Sequence, residues 1–376
     1  MNQKWKTVII GFAHMHVNHV AASFYNHPQC EIVACADIAP KRQERKKGPY
    51  TRAWNLEFCK REFKIAREYS DYIEMLDEET PDIAIVNSEN VWRADIVEAC
   101  AKRKIDVIVE KPMTLNYVDA LRMVKAAREA QILLLTNWPV VWHQNYNLMK
   151  TLLDEGKIGR VIEFKCRMGH AGPLGANAKH EGVSETADYM SDLDKGATWW
   201  HHAEMGGGAM IDYCCYGSMM ALWYLRKKAI SVMAMMGNFN SLYGDADDNA
   251  AMLVRLEDCY AVIEGSWTTY GGADPYGPVI YGTDGALLLT SDGGVKIALP
   301  GNKSEVVYPK ESNAEVDLAS CYVDYKNKEI VFPDMLLPEY NLEAMAILDA
   351  GLRSAESGKM ELVGNENWNP ARLFPK

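Results

Sequence analysis

The chain has 376 residues, 48% of them hydrophobic and 24% charged, which suits two globular domains with real cores. Its net charge of -11 argues against nucleic acid or an anionic membrane as the main partner. No stretch approaches the roughly 18 apolar residues of a membrane span, and the opening MNQKWKTVIIGFAHMH has too short an apolar run for a signal core. The nine cysteines include no C-x-x-C pair. Reduced thiols in the cytoplasm are therefore expected, rather than a disulfide framework or a structural zinc site.

The first third alternates strand and helix. Thr7 to Gly11 reads as a buried strand, followed by a helix with Val17, Val20, Ala21 and Phe24 on one face. Glu31 to Ala36 is a second strand, ending at Asp37, and the charged segment from Lys41 to Arg67 reads as partly looped. A short helix from Asp71 to Leu76 precedes a strand from Asp82 to Val86. Residues 93 to 103 read as a helix, and Asp106 to Val109 as a strand that stops at Glu110-Lys111-Pro112. Asn116 to Ala130 is an amphipathic helix, and Ile132 to Leu135 is the next strand. Such alternation implies right-handed βαβ units and a doubly wound parallel sheet. Sheets of this kind bind ligands beyond the carboxyl ends of their strands.

After about residue 140 the texture changes. A helix from Tyr146 to Leu153 leads to a strand from Val161 to Met168. Residues 169 to 198 are rich in Gly, Asp, Glu and His without periodicity, and a loop this long is usually functional. A helix follows Gly206-Gly207-Gly208. From Ile230 to Pro309 several strands are joined by turns at Glu257-Asp258, Asp284-Gly285 and Asp292-Gly293, as in a large, mostly antiparallel sheet. Leu342 to Glu356 is a final amphipathic helix.

The expected architecture is α/β. Residues 1–137 form a nucleotide-binding Rossmann domain, and residues 138–376 an α+β domain for substrate binding and oligomerisation, whose last helix packs back toward the first domain. Strands outnumber helices in the second half, so one sheet face needs a cover. A homo-oligomer is expected.

The turn after the first strand, Gly11-Phe12-Ala13-His14-Met15-His16, keeps one glycine of a dinucleotide fingerprint. It is either a cofactor turn or an ordinary βα turn. Asp37 is placed to accept the ribose hydroxyls of NAD and to repel a 2′-phosphate, with helix capping as its other reading. His14, His16 and His19 cluster nearby, but the two-residue spacing does not put two ligands on one helix face, so no metal is expected. Lys111 ends a buried strand at the mouth of the sheet, either beside a nicotinamide or as a surface lysine before a turn. The Lys111-Pro112 bond is a candidate for a cis peptide.

Three segments together resemble the glucose-fructose oxidoreductase / inositol dehydrogenase / MocA family. They are ADIVEACAKRKIDVIVEKP, ending at Pro112, GGGAMIDYCCYGSMMALWYL over 206–225, and the closing helix LEAMAILDAGLRSAESGK. The resemblance covers essentially the whole chain. It implies NAD as cofactor and hydride transfer at a ring hydroxyl of a sugar, glycoside or cyclitol, in a dimer or tetramer. It makes Lys111 the catalytic lysine and Asp212 the acidic residue of the second motif, with Tyr216 where many members have His. It also places Gly11, Phe12, Ala13, His14, Met15, Asp37, Asn87, Glu110, Lys111 and Trp138 around the cofactor. Ala13 departs from the family's second fingerprint glycine.

The chemistry of the residues agrees with this. A tyrosine with a reference pKa of about 10 is a poor base, and an adjacent ammonium such as Lys111 favours its phenolate. Trp199, Trp200 and His201 in the Trp-Trp-His-His run, with His170 and His180 in the long loop, suit the faces and hydroxyl edges of a sugar. Their other reading is one core tryptophan and exposed histidines. Two other functions stay open: NAD-dependent glycoside cleavage through a transient ketone, and a non-catalytic sensor of NAD or sugar.

Overall fold

The computed structural model describes residues 4–270, 277–310, 317–328 and 330–364. Residues 271–276, inside the expected strand-rich stretch, lie outside the described residues. The first half runs β1 (Trp5–Ile10), α1 (Val17–Asn26), β2 (Cys30–Ala36), α2 (Arg52–Glu62), β3 (Arg67–Tyr69), α3 (Tyr72–Glu79), β4 (Ile83–Val86), α4 (Arg93–Lys102), β5 (Asp106–Glu110), α5 (Tyr117–Ala130) and β6 (Leu134–Asn137). The six strands form one sheet in the order β3-β2-β1-β4-β5-β6, and every pairing is parallel. Burial on both faces explains the continuous apolar runs of β1 and β4.

The sequence left Lys41 to Arg67 partly looped, but α2 occupies its second half. Its buried residues are Arg52, Asn55, Phe58 and Cys59. A buried face carrying an arginine and an asparagine has no apolar period to read. The strand expected at Ile132 begins at Leu134, because Gln131 takes a left-handed conformation that ends α5.

The second half runs α6 (Gln144–Asp154), β7 (Val161–Gly169), α7 (Asp192–Lys195), α8 (Cys215–Leu225), β8 (Ala229–Gly237), β9 (Asn249–Leu256), β10 (Tyr260–Ser266), β11 (Gly277–Gly282), β12 (Ala286–Leu289), β13 (Val295–Leu299), β14 (Lys303–Val307), α9 (Leu318–Lys326), α10 (Pro338–Ser357) and β15 (Glu361–Leu362). Nine strands form a sheet in the order β14-β13-β12-β11-β7-β10-β9-β8-β15, antiparallel except where β10 (Tyr260–Ser266) pairs with β7. Helices α6, α8 and α10 pack on one face of this sheet. The other face exposes Met233, Met235, Leu253, Tyr260 and Tyr281. Helix α10 also returns to α5 and β6, where the Trp138 indole donates to Asn341 Oδ1 at 2.8 Å. Among the described residues, no helix is long and apolar enough to cross a membrane.

The turn after β1 depends on one glycine. Gly11 has φ +83°, and a Cβ there would lie 2.6 Å from the backbone nitrogen of Ser88 after β4. Gly301 has φ +76° but open space around it. Gly11→Ala is expected to cost about 2 kcal/mol or more, because strain and collision add. Gly301→Ala should cost clearly less. Urea unfolding of the two variants against the parent measures the difference.

Candidate active site

The carboxyl ends of β1 and β5 meet the start of α8 around a cavity of about 380 Å³. Lys111, at the end of β5, is buried and reaches across to the second half of the chain. Its ammonium donates to Asp212 Oδ1 at 2.7 Å and to the Asp212 carbonyl at 3.1 Å. The other carboxylate oxygen accepts the Trp267 indole N–H at 3.0 Å. Burial alone would lower the Lys111 pKa, but Asp212 outweighs it and holds the ammonium protonated. Burial likewise opposes the Asp212 charge, and Lys111 with His170 keeps its carboxyl below the usual range.

Local structure fixes both partners. The Lys111-Pro112 peptide is cis. The fully buried Arg93 guanidinium donates to the carbonyls of Ser88, Glu110 and Pro112, locking the ends of β4 and β5 together. On the other side, a Cβ at Gly207 would stand 2.0 Å from the Trp200 carbonyl, and Gly208 takes φ +115°. Asp247 accepts the Met210 amide at 2.8 Å, and a single π-type turn, Met210–Cys214, presents Asp212 before α8 begins. Such widened turns often mark functional sites.

Several expected residues share the cavity wall. His14, Met15, Lys111, His170, His180, Trp200, Asp212 and Tyr216 line it, with Tyr213 and His16 beside them. Burial lowers His180 to about 4, so its imidazole is neutral at pH 7. The long loop carrying His170 and His180 is stapled to the first sheet's side of the molecule, where Tyr50 donates to the Glu185 carbonyl at 2.5 Å. Other expected residues sit behind the wall. Trp199 stacks on Trp200 and donates to the Ala13 carbonyl at 3.0 Å. His201 packs between Tyr243 and Trp267, and burial lowers it to about 3. Trp138 meets the Tyr216 ring edge-on at 5.2 Å.

Tyr216 lies beside Lys111. The Lys111 ammonium lies over the faces of Tyr216 and Tyr213, at 4.7 and 5.8 Å from the ring centroids. Asp212 lies in the π-type turn and Tyr216 in the first turn of α8. Sequence reasoning missed Tyr213, Trp267 and Arg93. Tyr213 was legible as the neighbour of Asp212; Trp267, 55 positions from it, gives no local signal.

The strand ends fit a dinucleotide. Gly11 lets the turn close on Ser88, and the Ala13 position adds one methyl. Asp37 follows β2, and its carboxylate accepts the Phe12 and Ile38 amides at 3.2 and 2.9 Å and Arg52 at 2.7 Å. At the end of β4, the buried Asn87 Oδ1 and Glu89 Oε2 have no hydrogen-bond partner. Unpartnered acceptors at the mouth of a parallel sheet are what ribose hydroxyls would satisfy.

Comparison with known proteins agrees with the fold. Residues 5–137 match the model of an oxidoreductase family with an NAD-binding Rossmann fold, and residues 146–288 match the GFO/IDH/MocA C-terminal domain. A myo-inositol 2-dehydrogenase of Thermotoga maritima is 30% identical over 85% of this chain and 83% of its own length. An oxidoreductase of Agrobacterium radiobacter, solved with NAD+, L-tartaric acid and magnesium, superposes with TM-score 0.71 at 18% identity, over 96% of this chain and 99% of its own. A levoglucosan dehydrogenase solved with NADH and levoglucosan gives 0.70 at 16% identity, over 96% and 100%. The chain belongs to the GFO/IDH/MocA family of NAD-binding oxidoreductases.

The buried pair sets an energetic expectation. Lys111→Met or Asp212→Asn alone leaves one buried group without its partner, and each is expected to cost about 3–5 kcal/mol of stability. The double variant Lys111→Met with Asp212→Leu removes both charges and should cost less than either single. Denaturant unfolding of the three proteins checks the order.

Proposed function

We propose that the protein is an NAD-dependent dehydrogenase interconverting a ring hydroxyl and a ketone on a sugar, glycoside or cyclitol. The observation that carries this reading is the Lys111–Asp212 pair, buried at the wall of a cavity beyond the ends of the parallel strands. The cavity is walled by the Trp200 and Tyr213 rings and by histidines, a lining suited to the C–H faces and hydroxyls of a polyol. The relationship to a myo-inositol 2-dehydrogenase supports the substrate class.

The turn from Gly11 to Met15, Asp37 and Asn87 hold NAD in this reading, and NAD supplies the hydride acceptor or donor. Lys111 hydrogen-bonds the reacting oxygen and enters as a proton donor, because Asp212 keeps its ammonium charged. As the ketone carbon takes the hydride its oxygen takes a proton from Lys111 Nζ, and the neutral amine, beside a carboxylate that favours its charged form, regains a proton from solvent. The faces of Tyr213 and Tyr216 hold the ammonium in place. His170 and His180 orient further hydroxyls. With eight of nine cysteines buried and none paired, the cytoplasm suits the protein.

The test is an NAD-linked screen of inositols, aldoses and glycosides with product identification. The reading expects NADH release on at least one of them. Lys111→Ala should lose about 10²–10⁴-fold in turnover while still binding NAD by fluorescence titration. Substrate cleavage without net NADH would point to glycoside cleavage instead. NAD binding without turnover on any sugar would point to a sensor.

We also propose that the exposed face of the nine-stranded sheet, with Met233, Met235 and Leu253 on adjacent strands, is covered by a second copy in a homodimer or homotetramer. Light scattering at micromolar concentration should give a multiple of the 42.3 kDa chain mass. A Met235→Asp variant should shift it toward the monomer, and a parent protein that is monomeric throughout overturns this assembly.

A further inference from the structure

Two imidazoles and a carboxylate converge at the mouth of the first sheet. His14 and His16 stand in the turn before α1, so their spacing is not read along a helix face. Both rings approach one carboxylate of β5. His16 Nδ1 lies 2.8 Å from Glu110 Oε1, and His14 Nε2 lies 4.0 Å from the same oxygen. The three ligand atoms fall within 4.8 Å of one another. A turn that only cradles a pyrophosphate is built from small residues, yet a ring fills the third fingerprint position here.

The surroundings suit a cation. Glu110 is buried, and its other oxygen accepts the Asn137 amide at 2.8 Å, the kind of outer partner that orients a ligating carboxylate. The neighbouring Lys111 ammonium is paired with Asp212, and the Arg93 guanidinium donates to three backbone carbonyls. Both histidine rings line the cavity that also holds Lys111 and Asp212.

We propose that His14, His16 and Glu110 bind a first-row divalent cation, zinc foremost, with its remaining coordination positions open to the cavity. Imidazole nitrogens suit zinc, copper, iron or nickel rather than magnesium and calcium. Three protein ligands with an open position are the donor set of a catalytic zinc rather than a structural one. Zinc–nitrogen bonds of about 2.0–2.1 Å require the rings to close in by about an ångström. His14 Nδ1 accepts the His16 amide at 3.2 Å, so its Nε2 carries the proton before binding. Coordination breaks that long contact and moves the proton to Nδ1. The open positions then face substrate oxygens, which the cation polarises.

Metal binding is measured without substrate or NAD, so it stands or falls separately from the dehydrogenase reading. Tag-free protein stripped with EDTA is titrated with zinc by calorimetry and with cobalt by visible absorption. About one equivalent is expected, with a micromolar or lower Kd and cobalt bands of a low-coordinate site. His14→Gln and His16→Gln should each abolish the cobalt bands, and Asn137→Ala should weaken binding about tenfold. His19→Gln, on an exposed ring outside the cluster, should change nothing. Circular dichroism confirms that each variant is folded, and the two histidine variants keep the test available if Glu110→Gln does not fold. No saturable binding, or binding that survives both histidine changes, overturns the site.

Discussion

The arrangement rests on the ion pair between Lys111 and Asp212. One partner ends a strand of the parallel sheet, and the other opens a helix on the second sheet. Their 2.7 Å contact is therefore a bond between the two halves as well as part of the cavity wall. A buried pair is a poor source of net stability, since desolvation offsets most of its attraction. Its value is positional: neither charge is tolerable in that interior without the other, so the halves have one permissible alignment there. Trp267 on the far oxygen and the two tyrosine faces under the ammonium narrow that alignment further.

The features that seem decorative in the sequence follow from this requirement. Arg93 spends its donors on carbonyls at the ends of two neighbouring strands, which holds the backbone of Lys111 still. The glycines at 206–208 let that loop pass against the Trp200 carbonyl and Asp247 and then enter the π-type turn. Asp247 is half-buried behind it, and desolvation lifts its carboxyl to about 7. The amide of Met210 is bonded to it, so the geometry of the turn is tied to a group that is itself costly to ionise. Preorganisation of Asp212 is thus achieved by backbone contacts rather than by the helix that follows.

Much of this was legible from local pattern. The apolar runs of β1, β4 and β5, the period of α5, and the Glu110-Lys111-Pro112 stop each carry their structure in a few adjacent residues. The parallel sheet, the strand-rich second half and the family follow from them. What escaped was structure whose cause is distant. Helix α2 hides because its buried face includes Arg52, which is held by Asp37 and Glu89 rather than by apolar contact. Trp267 hides because its partner is 55 residues away. The approach of His14 and His16 to Glu110 escaped a helix rule because both stand in a turn and Glu110 enters from another strand.

The position of Lys111 over the tyrosine rings bears on the chemistry that the sequence suggested. An ammonium placed to make a phenolate would approach the phenol oxygen, where its charge lowers the cost of ionisation. An ammonium over the ring face interacts instead with the quadrupole of a neutral aromatic. Asp212 supplies the negative charge that the phenolate would have supplied, and it does so at 2.7 Å. In the proposed reaction the lysine–aspartate pair carries the acid–base work, with the two tyrosine faces against the ammonium and the histidine wall opposite it.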